Sequence, residues 1–223
     1  MSVIVGARYN DGIVMASDLL QTTSGRRTEQ RKLYFTNNLV VGVGGISPHI
    51  FLKRMKNDMD MLFREFSVPL LVDSVLPQYF HLANRVINSA FYYPEDYKFS
   101  PDNLHYLAAL IAYYDNEFGI RCYNFEKPQA SESPSELSIN PKIKSVEYSN
   151  YQKVDDIAVL HPGKEGDLQG FDCSITDMIS AKDTIISLVK HCNKIFPDEC
   201  DGLHVLNLNR NGVEEVAYES IAP

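Results

Sequence analysis

Apolar residues alternate and cluster at the start of the chain in the manner of paired strands. Val3 to Tyr9 is apolar and β-branched, Asn10-Asp11-Gly12 is a turn, and Ile13 to Ala16 reads as the returning strand. Gln21 to Gln30 is polar and includes Thr22-Thr23-Ser24-Gly25, a loop or an irregular hairpin. Lys32 to Phe35 and Leu39 to Val43 form a second short pair around Thr36-Asn37-Asn38, and Gly44-Gly45 closes the β region.

The period then becomes helical. From Pro48 the apolar positions Phe51, Met55, Met59, Leu62 and Phe66 recur every three or four residues between charged ones. A second helix is expected after Asp73 or Ser74, with Leu76, Phe80, Ala83, Ile87 and Ala90 as its stripe and Pro77 in its first turn. Both helices carry extra apolar residues: Met61 and Phe63 on the first, Tyr79, Leu82 and Val86 on the second, with Phe91-Tyr92-Tyr93 after it. One such domain buries a single face of each helix, so the wide arcs predict a symmetric oligomer larger than a dimer. Aromatics folding back on the 94–103 loop are the monomeric alternative.

Strand patterning returns in His105 to Tyr114 and Ile120 to Phe125, flanking a hairpin turn over 115–119. The Ser-, Glu-, Pro-, Asn- and Lys-rich stretch 127–153 offers little for a core and reads as an excursion. Asp156 to Leu160 is a further strand. A long helix follows, capped by Ser174 or Ser180, the latter in a Ser180-x-x-Asp183 box, with Ile185, Leu188 or Val189, Cys192 and Phe196 inward. Leu203 to Leu208 and Val213 to Tyr218 make a last hairpin around Asn211-Gly212. Strands, two helices, strands, one helix and strands argue against a doubly wound parallel sheet. They favour an α+β fold of two antiparallel sheets stacked between helical layers, in one domain over 1–223.

Composition narrows the function classes. A net charge of -8 disfavours a broad nucleic-acid footprint. No apolar run approaches the roughly 20 residues that span a bilayer, and the start lacks the basic region of a signal peptide. A cytoplasmic protein without membrane or nucleic-acid partners is expected. Cys122, Cys173, Cys192 and Cys200 form no Cys-x-x-Cys pair, and the six histidines are scattered singly. Buried thiols and isolated histidines are therefore expected, with no metal or organic cofactor. The run Val40-Val41-Gly42-Val43-Gly44-Gly45-Ile46-Ser47 has Ser47 where a dinucleotide loop needs glycine, and no Gly-Lys-Ser/Thr follows.

The N-terminus is the stronger candidate. Once Met1 is removed, Ser2 carries a nucleophilic hydroxyl and an α-amine with a pKa of about 8 on one residue, so it can supply its own base. Ser2 is expected to become the first residue by methionine removal alone, without a propeptide. Asp18 lies at the end of the second strand and Lys32 at the start of the third. A lysine held by a carboxylate lowers the cost of a developing alkoxide. Gly45, at the end of the fourth strand, offers a backbone N–H as oxyanion donor. An ordinary ion pair and a tight turn are the alternative reading of the same residues.

Val3-Ile4-Val5-Gly6, Asp11-Gly12-Ile13-Val14-Met15-Ala16-Ser17-Asp18, Arg31-Lys32-Leu33-Tyr34 and Val41-Gly42-Val43-Gly44-Gly45 together resemble the opening of a proteasome β-type subunit. That family belongs to the N-terminal nucleophile (Ntn) hydrolases, and the later order of elements agrees with it. The resemblance implies a four-layer αββα sandwich. It places Ser2 on the nucleophile (usually Thr), Asp18 on the acidic residue, Lys32 on the neighbouring lysine and Gly45 on the oxyanion glycine. A deletion of about two residues precedes Lys32. Asp198, beyond the late helix, falls near the second acidic residue. The chain departs from the family in having His161-Pro162-Gly163 where Gly-Ser-Gly supplies a supporting serine, and in the long excursion. The implied activity is amide hydrolysis of a peptide or protein, within a ring of like subunits that can take a regulatory cap. A catalytically silent scaffold subunit and a small-molecule amidase or acyltransferase are the alternatives.

Overall fold

Alternate residues of the strands feed different cores, and this period of two organises the architecture. The computed structural model describes residues 2–23, 26–46, 49–87, 106–123, 151–154, 157–160, 175–198 and 200–221. Its strands are β1 (Ile4–Tyr9), β2 (Gly12–Ser17), β3 (Leu20–Thr23), β4 (Arg26–Glu29), β5 (Leu33–Thr36), β6 (Leu39–Ile46), β7 (Tyr106–Asp115), β8 (Glu117–Tyr123), β9 (Tyr151–Val154), β10 (Ile157–Leu160), β11 (Leu203–Asn209) and β12 (Gly212–Glu219). Helices are α1 (His49–Glu65), α2 (Val68–Leu70), α3 (Leu76–Ile87) and α4 (Met178–Ile195), with a π-helical segment Leu71–Val75 joining α2 to α3. The fold is mixed α+β.

One five-stranded sheet runs in the order β10-β1-β2-β11-β12 and a second in the order β5-β6-β7-β8-β9, while β3 and β4 pair as a separate hairpin. Every strand pair is antiparallel. Ile4, Ile13, Met15, Leu206 and Leu208 of the first sheet meet Leu33, Val40, Leu110, Ala112 and Ile120 of the second in a core between the sheets. The alternate residues Val5, Ala7, Val14, Ala16 and Val205 face away from that core and pack against Ile185, Leu188, Val189 and Cys192 of α4. In the same way Val41, Val43, Ala109 and Ile111 pack against Met55 and Met59 of α1, Leu71 and Val72, and Leu76, Phe80 and Ala83 of α3. Strands buried on both faces explain why these segments read as continuous apolar runs. Gly42 lets the sheets close, since a methyl group on it would lie 2.5 Å from Ile4 Cγ2.

Several expectations need correction. The second helical stretch begins at Val68, before Asp73, and Pro77 follows a π-helical turn. That turn changes the hydrogen-bond register just where Pro77 has no N–H to donate. Phe66 falls one residue past α1 and is exposed, outside the buried stripe. The cap of α4 is Asp177, whose carboxylate accepts from the Ser180 N–H at 2.8 Å while the Ser180 Oγ accepts from the Asp177 N–H at 3.0 Å. Ser180 is thus the third-position member of the box, not its first, and Asp183 is not part of it. The β7–β8 turn is tighter than 115–119, because Asn116 adopts φ 60° and the strand resumes at Glu117. Tyr151 to Lys153, expected in the excursion, belong to β9. Met1, Ala90, 91–105, Phe125, 127–150, 161–163, Cys173 and Ser174 lie outside the described residues.

Candidate active site

The start of β1 and the end of β2 meet at Val3 and Asp18. The Asp18 N–H donates to the Val3 carbonyl at 3.1 Å, and the Val3 N–H donates to Asp18 Oδ1 at 2.7 Å. The chain turns after β2, and the Leu20 N–H donates to Asp18 Oδ2 at 3.1 Å. Lys32 enters from the segment before β5. Its backbone carbonyl accepts from Val43 N–H of β6 at 3.0 Å, so its side chain starts from a fixed point. The Lys32 Nζ reaches Asp18 Oδ2 at 2.5 Å and the Leu20 carbonyl at 2.7 Å. Side-chain exposure is 7% for Lys32 and 0% for Asp18.

Burial pushes the Asp18 carboxyl up from its usual range. The Lys32 ammonium, acting through charge and hydrogen bond, opposes that shift, as do the N–H groups of Val3 and Leu20. Cys200 packs close by, and burial first, then the Asp18 charge, raise its thiol well above the ordinary value, with Lys32 opposing. Such a thiol stays protonated at neutral pH.

Ser2 is half-buried and lies across β6, where a methyl group placed on Gly44 would be 3.1 Å from the Ser2 Cβ. The next residue, Gly45, has φ 118°, a conformation that side-chain-bearing residues rarely adopt. Ser2, Asp18 and Lys32 thus lie toward one end of the two sheets, with Gly44 against Ser2 and Gly45 next to it in sequence. Asp198 is exposed on the turn after α4 and makes no hydrogen bond or ion pair with Asp18 or Lys32. The acidic residue at this corner is Asp201. Its carbonyl accepts from the Leu19 and Leu20 N–H groups, at 2.7 and 3.1 Å, while its carboxylate pairs with Arg27.

Sequence reading gave no part in the site to Asp201, to Cys200, which it expected only as a buried thiol, to Ser17, or to His204, which it expected only as an isolated histidine. The first two stand beside Gly202, whose φ of 71° marks the turn into β11. Asp201-Gly202 was the available signal for that turn. Ser17 and His204 carry no local motif and become notable only through strand pairing. Among the described residues no three His, Cys, Asp or Glu side chains converge as a metal site, and no helix is long and apolar enough to cross a membrane. A cavity of about 380 Å³ lies at the opposite end of β1, lined in part by Tyr9, Asp11, Asp177 and Met178, away from this chemistry. Comparison of the chain with known protein families and with curated protein sequences finds no match.

Proposed function

We propose that the protein is an Ntn hydrolase of proteasome β-subunit type, an αββα sandwich in which Ser2, exposed by removal of Met1, hydrolyses amide bonds. The observation that carries this reading is the buried Asp18–Lys32 pair, tied through the Val3 N–H to the residue that follows Ser2. A structural ion pair gains little from so much burial, because desolvation consumes most of the attraction. A lysine held charged beside a nucleophile has a use for it. The core between the sheets, with helices packed on their outer faces, supports the layered part of the reading.

In this mechanism the Ser2 Oγ attacks the substrate carbonyl carbon, and its proton passes to the Ser2 α-amine, directly or through a water. Lys32, oriented by Asp18, stabilises negative charge on Oγ as the new C–O bond forms. The Gly45 N–H donates to the carbonyl oxygen as it becomes an oxyanion. Collapse breaks the C–N bond, and the α-ammonium returns its proton to the leaving amine. Water then attacks the ester carbon as the α-amine takes one of its protons; the C–Oγ bond breaks, the α-ammonium returns that proton to Oγ, and the carboxylic acid departs with Ser2 restored. Peptides or proteins are the proposed substrates.

Assembly rests on a separate observation. Met61 of α1, Leu70 of α2 and Leu82 of α3 are large apolar side chains left exposed on the helical side. Packing of these helices against like subunits in a ring is the proposed arrangement.

Intact mass tests the function. The expected result is a chain lacking Met1 that gains one acyl group at Ser2 when treated with a peptide β-lactone, with no gain in Ser2→Ala. A retained Met1, or equal acylation of Ser2→Ala, overturns the hydrolase reading. Assembly with a retained Met1 favours the scaffold subunit.

A further inference from the structure

A row of polar side chains crosses the inter-sheet face of the first sheet, and the mechanism above uses only its first member. Met15 and Leu206 belong to the core between the sheets, whereas Ala16 and Val205 belong to the core against α4. Strand alternation therefore puts Ser17 and His204 on the inter-sheet side. Register aligns Ile4 with Ser17, Ser17 with His204, and His204 with Tyr218. Ser2, two residues before Ile4, is the diagonal neighbour of Ser17.

Ser17 and His204 are both fully buried, and neither Ser17 Oγ nor His204 Nδ1 has a hydrogen-bond partner among the described residues. The other ring nitrogen of His204 is engaged: Nε2 lies 2.9 Å from Glu215 Oε2, and that same oxygen lies 3.4 Å from Arg31 Nη1. The Tyr218 ring stands edge-on to the imidazole at 5.8 Å between centroids, under the Arg31 guanidinium at 5.0 Å, and its hydroxyl donates to Glu29. An ionised carboxylate only accepts, so the ring proton belongs on Nε2. Nδ1 is then a bare acceptor, and the Ser17 hydroxyl directly opposite is a donor without an acceptor. Cβ atoms of directly opposed residues lie about 4.5–5.5 Å apart, and since the two groups make no direct bond, one water between them would complete both. Two complementary buried groups left unpaired would each cost free energy that this bridge recovers.

We propose that the Ser17 hydroxyl donates to His204 Nδ1 through one bridging water, and that the chain Ser17–water–His204–Glu215–Arg31 makes Ser17 and His204 positioning residues that fix the end of β2 from which Asp18 reaches Lys32. The inference rests on the proposed Ser2 site for its purpose but not for its test. Ser17 is covalently joined to Asp18 and is paired in register with His204 of β11, so its hydroxyl can anchor that strand end from the β11 side. The chain holds the imidazole as the neutral Nε2–H tautomer.

The experiment is NMR of ¹⁵N- and ¹³C-labelled full-length protein at neutral pH, and needs no turnover. His204 is expected to carry its proton on Nε2, with an Nδ1 signal typical of a hydrogen-bonded acceptor. In Ser17→Ala that signal moves to the free-acceptor position, and Ser17→Thr, which keeps the hydroxyl, restores it. A proton on Nδ1 in the wild type, or an Nδ1 signal unmoved in Ser17→Ala, overturns the hydrogen-bonded chain. The positioning role is read from the Asp18 carboxyl and Lys32 ammonium signals. Both shift in Ser17→Ala and recover in Ser17→Thr, and unchanged signals overturn that role. If Ser2 proves inert to acylation, the hydrolase reading fails while both of these outcomes still stand or fall by themselves.

Discussion

Lys32 Nζ lies 2.5 Å from Asp18 Oδ2, and the other oxygen of the same carboxylate accepts the Val3 N–H. One carboxylate therefore ties together a lysine from one sheet edge and the first strand of the other sheet. Lys32→Ala would leave Asp18 buried without its partner, which costs about 3–5 kcal/mol when a buried pair is broken from one side. Urea denaturation of Lys32→Ala is expected to show a loss of that size, together with loss of Ser2 acylation. Lys32→Arg should recover little of either, because a planar guanidinium does not fit where a compact ammonium donates to both Asp18 and Leu20. A fully stable Lys32→Ala variant would show that the pair contributes nothing to the fold.

The two glycines of β6 that face the first sheet separate stability from chemistry. A methyl group on Gly42 meets Ile4 Cγ2 at 2.5 Å, Leu33 Cδ2 at 3.0 Å and Met15 Cε at 3.1 Å, all inside the inter-sheet core. Gly42→Ala is therefore expected to cost about 1–3 kcal/mol by overpacking. The Gly44 methyl meets Ser2 Cβ at 3.1 Å and Ile4 Cδ1 at 3.3 Å, and Ser2 at the strand end is the part able to move. Gly44→Ala should unfold at nearly the wild-type denaturant concentration yet lose most of its acylation. Unimpaired acylation of Gly44→Ala would place the reacting hydroxyl elsewhere.

The strand pairs were legible because each carried its own signal. Asn10-Asp11-Gly12 and Asn211-Gly212 set two hairpins, and the apolar runs between such turns became β1, β2, β11 and β12. That Ser2, Asp18, Lys32 and Gly45 lie at or beside strand ends was legible by the same logic, because the turns bound those strands, while the roles given to them came from the family resemblance. The His204 cluster was not. Ser17, His204, Glu215 and Tyr218 come together through the β2–β11–β12 register, and Arg31 reaches them from the segment before β5, neither of which a local pattern encodes. The π-helical entry to α3 was hidden for a related reason: Pro77 signals a helix start, and only tertiary packing of Leu71 and Val72 extends the helix back past it.

Burial makes His204 a pH-sensitive element of stability. It holds the imidazole below its ordinary value of 6.5, with the Arg31 charge acting the same way, while the charge and hydrogen bond of Glu215 oppose. The groups facing it are Ser17 from β2, Glu215 and Tyr218 from β12 and Arg31 from the segment before β5, with Glu29 of β4 behind the Tyr218 hydroxyl. A histidine with a depressed folded pKa binds its proton more readily in the unfolded chain. Its contribution is therefore full above 6.5 and is lost as pH falls from 6.5 through the folded value. Urea midpoints should fall over that window in the wild type, and His204→Gln should flatten the fall relative to it. An equal slope in the variant would mean that other groups carry the acid sensitivity.

Assembly gives the remaining prediction, and it holds whether or not Ser2 is reactive. Met61 and Leu82 are 52% and 56% exposed, on the two helices whose other faces are buried against the second sheet. Leu70, at 46%, extends the apolar surface through α2. Tyr79, the other off-stripe aromatic on α3, is satisfied within the chain, because its hydroxyl donates to Asp58 of α1 at 3.0 Å and its ring meets Phe80 edge-on. The surface left for a neighbour is thus mainly aliphatic and thioether in character, with Phe66, exposed just past α1, beside it. Packing of like subunits along α1 to α3 would cover it, and the expected solution mass is a multiple of 25.3 kDa greater than two. Met61→Lys combined with Leu82→Glu should lower that mass at equal concentration without lowering the helix content. Light scattering across a dilution series decides the matter, since a wild-type mass that stays at 25.3 kDa at high concentration is incompatible with this interface.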